Sequence, residues 1–327
     1  MTRATDPFRI PEGFDPIRIV RDVTRETPLE LAPGISDDHE VLLKREDLGP
    51  NGSFKWRGAL CACATLKANG VDTVTTASTG NHGAATAWAA VRLGMRAHVV
   101  VPAGASEVKC GQISALGAEL HRDADSIDHA VRRALDLAAE QGGVMLEDGA
   151  NEAQLLGTGT IGTELAEAGL GINVVLTPLA CGALAGGMAT QLAKLEPKPW
   201  VIGVQSTEFP RLGALWRGEP DPGPDAGTTF AGGLADTRIV EPAFSACKDH
   251  LDDVVSVDDN ELAAAVRELH IEHSLLVEGA AAAPLAALRA HPEAVPAGRV
   301  VMIISGRNLD ADVAEWILGG EAAEAQP

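Results

Sequence analysis

The chain has 327 residues, 46% of them apolar and 22% charged, with a formal net charge of −20, enough to bury a large core in one or two domains. The acidity argues against a nucleic-acid partner, because phosphate backbones demand clustered Lys and Arg, and five cysteines without a CxxC pair argue against a disulfide framework or a zinc site. No apolar run approaches the roughly 20 residues that span a bilayer, and the opening MTRATDPFRIPEGFDP is broken by prolines and charges where a secretory signal is apolar, so a cytoplasmic protein with no membrane partner is expected.

Along the chain, short β-branched runs alternate with Ala-rich stretches. EVLLK precedes LGPNGSFKWRGA and an apolar stretch in which Cys61 and Cys63 read as buried core. DTVTTAS precedes NHGAATAWAAVRLG, and RAHVVV precedes SEVKCGQISALG. INVVLTP precedes GALAGGMATQLAKL, while WVIGVQS and RVVMIIS complete the set. This is the pattern of βα units, and the fold class is α/β with parallel sheets covered by helices. GEPDPGPDAG at 218–227 reads as a surface loop and the tail GGEAAEAQP as frayed.

In open α/β sheets, ligands bind beyond the carboxyl ends of strands, where helix N-termini favour anions. Four loops qualify: NGSFKWRGA, ASTGNHGAA, TPLACGALAGG and ISGRN. Lys55, in the first, is one of only seven lysines against nineteen arginines. Alone it reads as well as a solvated amine at a helix start, and STGNHG as a plain helix cap.

Taken together and in this order, the loops resemble those of fold-type II pyridoxal-phosphate enzymes, the tryptophan synthase β-like family, in its serine/threonine dehydratase branch. The resemblance runs from ETPLEL through SFKWRGA, STGNHG, GTGTIGTELAE and VEGAAAAPLAAL to ISGRN. It implies two three-layer domains with the cofactor in the cleft between them: a larger one from 1–67 and 150–327, and a smaller substrate-gripping one from 68–149. Because the chain stops soon after ISGRN, the C-terminal regulatory domain of biosynthetic threonine deaminases is not expected.

The resemblance also assigns residues. Lys55 becomes the Schiff-base lysine and then the base that takes the α-proton, a task that needs a neutral, poorly solvated amine. Ser78, Thr79, Gly80, Asn81 and His82 become the carboxylate grip at a helix N-terminus. Asn81 also bonds the cofactor's ring oxygen, His82 reads as a packing or hydrogen-bonding residue, and the Thr79 hydroxyl leaves racemisation open. Phe54 joins the cofactor site, with Cys181, Gly182, Ala183 and Leu184 as its phosphate cradle. The family has a glycine run there, and Cβ atoms at Ala180, Cys181 and Ala183 are expected to restrict left-handed backbone and alter the cradle; Cys181 is alternatively a reactive thiol. Ser305 bonds the pyridine nitrogen, a neutral partner that suits β-elimination, with Arg307 in place of a second glycine. Gly233 allows close approach to the cofactor, and Glu278 reads as a helix cap. No metal is expected, since Gln205 stands where some relatives carry an acidic ligand.

The implied function is β-elimination from a β-hydroxy amino acid such as L-serine, L-threonine or 3-hydroxyaspartate, giving an oxo acid and ammonia, in a homodimer. The alternatives are a threonine synthase-like or cysteine synthase-like replacement enzyme, a racemase of the same fold, or a non-catalytic metabolite binder.

Overall fold

The computed structural model describes residues 6–224 and 227–319; the tail beyond Gly319, expected to fray, lies outside them. The described strands are β1 (Leu29–Leu31), β2 (His39–Arg45), β3 (Thr73–Ala77), β4 (Arg96–Pro102), β5 (Glu119–Ala124), β6 (Val144–Met145), β7 (Val174–Pro178), β8 (Trp200–Ser206), β9 (Asp253–Val257) and β10 (Gly298–Ile304). They form a six-stranded sheet, β1-β2-β10-β7-β8-β9, and a four-stranded sheet, β5-β4-β3-β6. Every pairing is parallel except that of β1 with β2. The α/β class expected from the alternating pattern is what the chain adopts.

The chain divides into two compact units, one of residues up to Arg25 plus Lys55–Thr160, the other of Glu26–Phe54 plus Ile161 onward. The first holds the four-stranded sheet. Its main core joins Trp56, Leu60 and Leu66 of helix Lys55–Ala68 to Val74, Ala85, Ala89 and Leu146. Cys61 and Cys63 are fully buried, and burial pushes both thiols up to about 12, so they stay protonated and pack as small hydrophobes. Arg57 is also fully buried. Its Nη1 donates to Thr160 Oγ1 at 2.9 Å, and its guanidinium lies 5.0 Å from the centre of the Trp56 ring.

This division differs from the one read in the sequence, which kept residues 1–67 with the larger portion. Helix Lys55–Ala68 instead packs against helices Pro16–Arg21 and Asn81–Arg92 within the first unit. The helix is buried nearly all round, and such a helix carries no apolar stripe to say which sheet it covers.

In the second unit the central strands are buried on both faces, as parallel strands between helical layers must be. Val41, Leu43, Leu176, Met302 and Ile304 pack in one core with helices Asp259–His273 and Gly279–Ala290. Leu42, Val175, Val301 and Ile303 pack in the other with helix Ala183–Leu192.

A charged network lies inside this unit. Lys44 Nζ is 2.5 Å from Glu164 Oε2 and donates to Thr27 O at 2.7 Å, while Thr27 Oγ1 donates to Glu46 Oε1 at 2.5 Å. None of these four residues is more than 5% exposed. The network ties the early segment Glu26–Phe54 to the end of helix Glu152–Glu167. Among the described residues, no helix is long and apolar enough to cross a membrane.

Candidate active site

Three of the four loops follow the adjacent strands β2, β10 and β7. Their registers, Ile304 with Arg45 and Met302 with Leu176, bring the carboxyl ends side by side. The loops after β2 and β10 are joined by backbone bonds. Phe54 N donates to Ser305 O at 2.9 Å, Ser53 bridges Gly306, and Arg307 N donates to Gly52 O at 2.9 Å. Asn308 Nδ2 adds a bond to Asn51 O at 3.0 Å. Ser305 is thus fixed at the end of β10, buried, beside the residue that precedes Lys55. Arg307 needs no left-handed backbone and holds its side chain in solvent, so the missing glycine leaves the loop intact.

Glu278 departs from its expected capping role. It stands before helix Gly279–Ala290, but its side chain caps no amide there. Its backbone N–H donates to Gly306 O at 3.2 Å, and its carboxylate lies where a Cβ at position 306 would come within 2.2 Å of Oε1. The loop after β10 therefore draws the side chain away from the helix. Gly233, in the turn Gly232–Leu234, makes its close approach to that same helix, since a Cβ there would sit 2.8 Å from Ala280 Cβ.

After β7, helix Ala183–Leu192 opens directly behind Gly182, whose backbone is left-handed at φ 92°. Among the described residues only Ser274 combines a side chain with positive φ, so Ala180, Cys181 and Ala183 sit in ordinary backbone. The turn needs one glycine and has it. Cys181, Ala183 and Leu184 are buried. The neighbouring Cys247 thiol, which burial pushes up to about 12, stays protonated and donates to Gly182 O at 3.5 Å. Gly182→Ala would set a Cβ 2.8 Å from Cys247 Sγ in a left-handed conformation; we expect a stability loss of about 1–3 kcal/mol, measured by denaturant unfolding.

The fourth loop belongs to the first unit. STGNHG follows β3 and opens helix Asn81–Arg92, with Ser78 Oγ accepting from Gly80 N at 3.2 Å. The first turn of that helix lies directly against the loop: a Cβ at Gly83 would be 2.3 Å from Ser78 O. Thr79 and Asn81 are half-buried, and His82 is buried. His82 Nε2 faces Leu146 O at 3.0 Å and so is the donor there, while Nδ1 lies 3.5 Å from Asp148 Oδ1. The other oxygen of Asp148 pairs with Lys55 Nζ, at the first position of helix Lys55–Ala68. The Lys55 side chain is 19% exposed, far from a freely solvated amine.

Asp148 was not among the sequence candidates. Its place comes from β6, whose two residues pair in parallel with Val74 and Thr75 of β3 and carry the chain to the sheet edge that bears STGNHG. Thr76 Oγ1 and Leu146 N reinforce this, at 2.9 Å to Leu146 O and 2.8 Å to Thr75 O. A strand of two residues offers no periodicity from which to find it. Gln205 is buried in the second unit, where its amide accepts from Gly213 N at 2.9 Å and donates to Ser256 Oγ at 3.0 Å.

The first unit thus holds an amine beside a carboxylate and a loop that opens a helix beyond a strand end, and the second holds a glycine-opened helix start and a buried hydroxyl after β10. By chemistry alone, the donors of each unit suit part of a phosphorylated aldehyde: in the first a partly shielded amine that could bond it, and in the second a glycine-opened helix start suited to a phosphate and a neutral hydroxyl suited to a ring nitrogen. Residues 20–306 match the family of pyridoxal-phosphate dependent enzymes, and the chain belongs to it. It is 32% identical to the biosynthetic L-threonine dehydratase IlvA of Escherichia coli over 314 residues, covering 92% of this chain and 60% of that one. It is 33% identical to a putative threonine dehydratase of Sinorhizobium fredii, covering 93% and 92%. The processed form of threonine deaminase isoform 2 from Solanum lycopersicum superposes with a TM-score of 0.83 at 28% identity, covering 94% and 90%. The chain spans about 60% of the length of the first curated relatives it matches.

Proposed function

We propose that the chain is a pyridoxal-phosphate-dependent lyase that eliminates the β-hydroxyl of an amino acid such as L-serine, L-threonine or 3-hydroxyaspartate, releasing an oxo acid and ammonia. The observation that carries the reading is the placement of Lys55 at a helix start, paired with Asp148, which also faces His82 of the STGNHG loop. The names of the relatives, threonine dehydratases at about one-third identity, support it.

When bound, the cofactor supplies an electron sink that acidifies the substrate's α-carbon. Lys55 Nζ would hold the cofactor and take the substrate's Cα proton, and Asp148 would keep that amine in one orientation. Ser78, Thr79, Gly80, Asn81 and His82 would bind the substrate carboxylate, and Asn81 would also hydrogen-bond the cofactor. The turn from Cys181 through Gly182 and Ala183 to Leu184 would hold its phosphate. Ser305 would offer the ring nitrogen a neutral hydroxyl, and Phe54 and Gly233 would belong to the cofactor's surroundings. A homodimer located in the cytoplasm completes the reading.

The test offers L-serine, L-threonine, 3-hydroxyaspartate and 2,3-diaminopropionate to the cofactor-loaded protein and scores ammonia and oxo acid. Equal yields of both from at least one β-hydroxy amino acid are expected. Accumulation of the opposite enantiomer without oxo acid would instead assign a racemase, with the Thr79 hydroxyl as the second proton donor. Inertness toward the whole panel would overturn the proposal.

A further inference from the structure

We propose that His98, Glu119 and His121 form a binding site for a divalent transition-metal ion of the zinc class, separate from the residues assigned to catalysis. The three lie on β4 and on β5, the outermost strand of the four-stranded sheet. The parallel register sets His98 beside Glu119 and Val100 beside His121. Residues two apart on a strand share a face, so all three heads project to one side of the edge pair.

The geometry is that of a coordination face. His98 Nδ1 is 3.1 Å from His121 Nε2, and the Glu119 carboxylate oxygens are 3.5 Å from each of these nitrogens. Ligand atoms held about 2.0–2.2 Å from a tetrahedral ion stand about 3.3–3.6 Å apart. A hydrogen bond between the two imidazoles accounts for the first distance alone. It leaves the carboxylate at the limit of hydrogen bonding to both nitrogens, whereas a shared cation accounts for all three. Two imidazoles and a carboxylate suit zinc, nickel or copper better than the oxygen-seeking magnesium or calcium.

His98 is buried and fixes one ligand, while Glu119 is 67% exposed and leaves an open side where water can complete the coordination. The β4–β5 register shifts between Val100 and Pro102, just past the cluster, so an ion there pins the edge strand where its ladder is irregular. Arg96, two residues before His98 on the same face, adds a positive charge that limits affinity.

A second group, Glu268, Glu272 and His273, has one imidazole and serves as the control. The test titrates Zn2+ into the untagged, chelator-stripped full chain by calorimetry and by competition with a chromophoric chelator. One ion per chain is expected, with a rise in melting temperature at saturation. Glu119→Gln and His121→Asn, at accessible positions, should each weaken binding at least about tenfold and leave ammonia release unchanged; His273→Asn should change neither. Absence of saturable binding, affinity unaltered in both strand variants, or loss of the ion in His273→Asn would overturn the site. None of these outcomes bears on the β-elimination reading.

Discussion

Lys55→Arg is expected to lower ammonia release at least about a thousandfold, about 4 kcal/mol of barrier, and to abolish the cofactor's visible absorption. Arginine keeps the positive charge and can still pair with Asp148, so the local ion pair seen with Lys55 is preserved. What it cannot do is lose its proton, and a guanidinium neither bonds an aldehyde nor takes a proton at neutral pH. Lys55→Ala removes both the charge and the chemistry. If the two variants are equally inactive, the amine itself is required; if arginine retains activity while alanine does not, the role of position 55 is to neutralise Asp148, and the proposed assignment is wrong.

Lys44→Met should destabilise the protein by about 3–5 kcal/mol, because it leaves Glu164 buried without its cation. The companion variant Lys44→Met with Glu164→Leu should recover most of that loss, since an apolar pair of similar volume carries no desolvation penalty. Urea unfolding of the two variants and the parent measures the difference. A double variant as unstable as the single one would show that the network acts through Thr27 and Glu46 rather than through the ion pair.

The strands were legible because each is a short apolar or β-branched run that gives way to a loop or helix start. EVLLK, DTVTTAS, RAHVVV, INVVLTP, WVIGVQS and RVVMIIS all fall on strands of the structure. β5, with the sequence ELHRDA, was missed because an edge strand with a solvated face carries charges where a central strand carries valine. The metal cluster was hidden for the same reason: His98 and His121 are 23 positions apart, and only the β4–β5 register joins them. The loops of the candidate site were legible as motifs, yet their partners were not. Asp148 and the inward turn of Glu278 depend on chain segments that meet only in the folded state. Ala180, Cys181 and Ala183 take no left-handed backbone, which composition could not tell; only Gly182 of that turn does.

The pairing of β2 with β10 has a consequence for synthesis. Arg299 and Glu40, joined across that pair at 2.7 Å, are 259 positions apart, whereas the first unit is complete at Thr160. A nascent chain can thus finish the four-stranded sheet while β2 still waits, with Val41, Leu42 and Leu43 uncovered and one edge unpaired, for a strand made far later. Ribosome-bound chains that end before Gly298 therefore expose a sticky, chaperone-seeking edge made long before its partner.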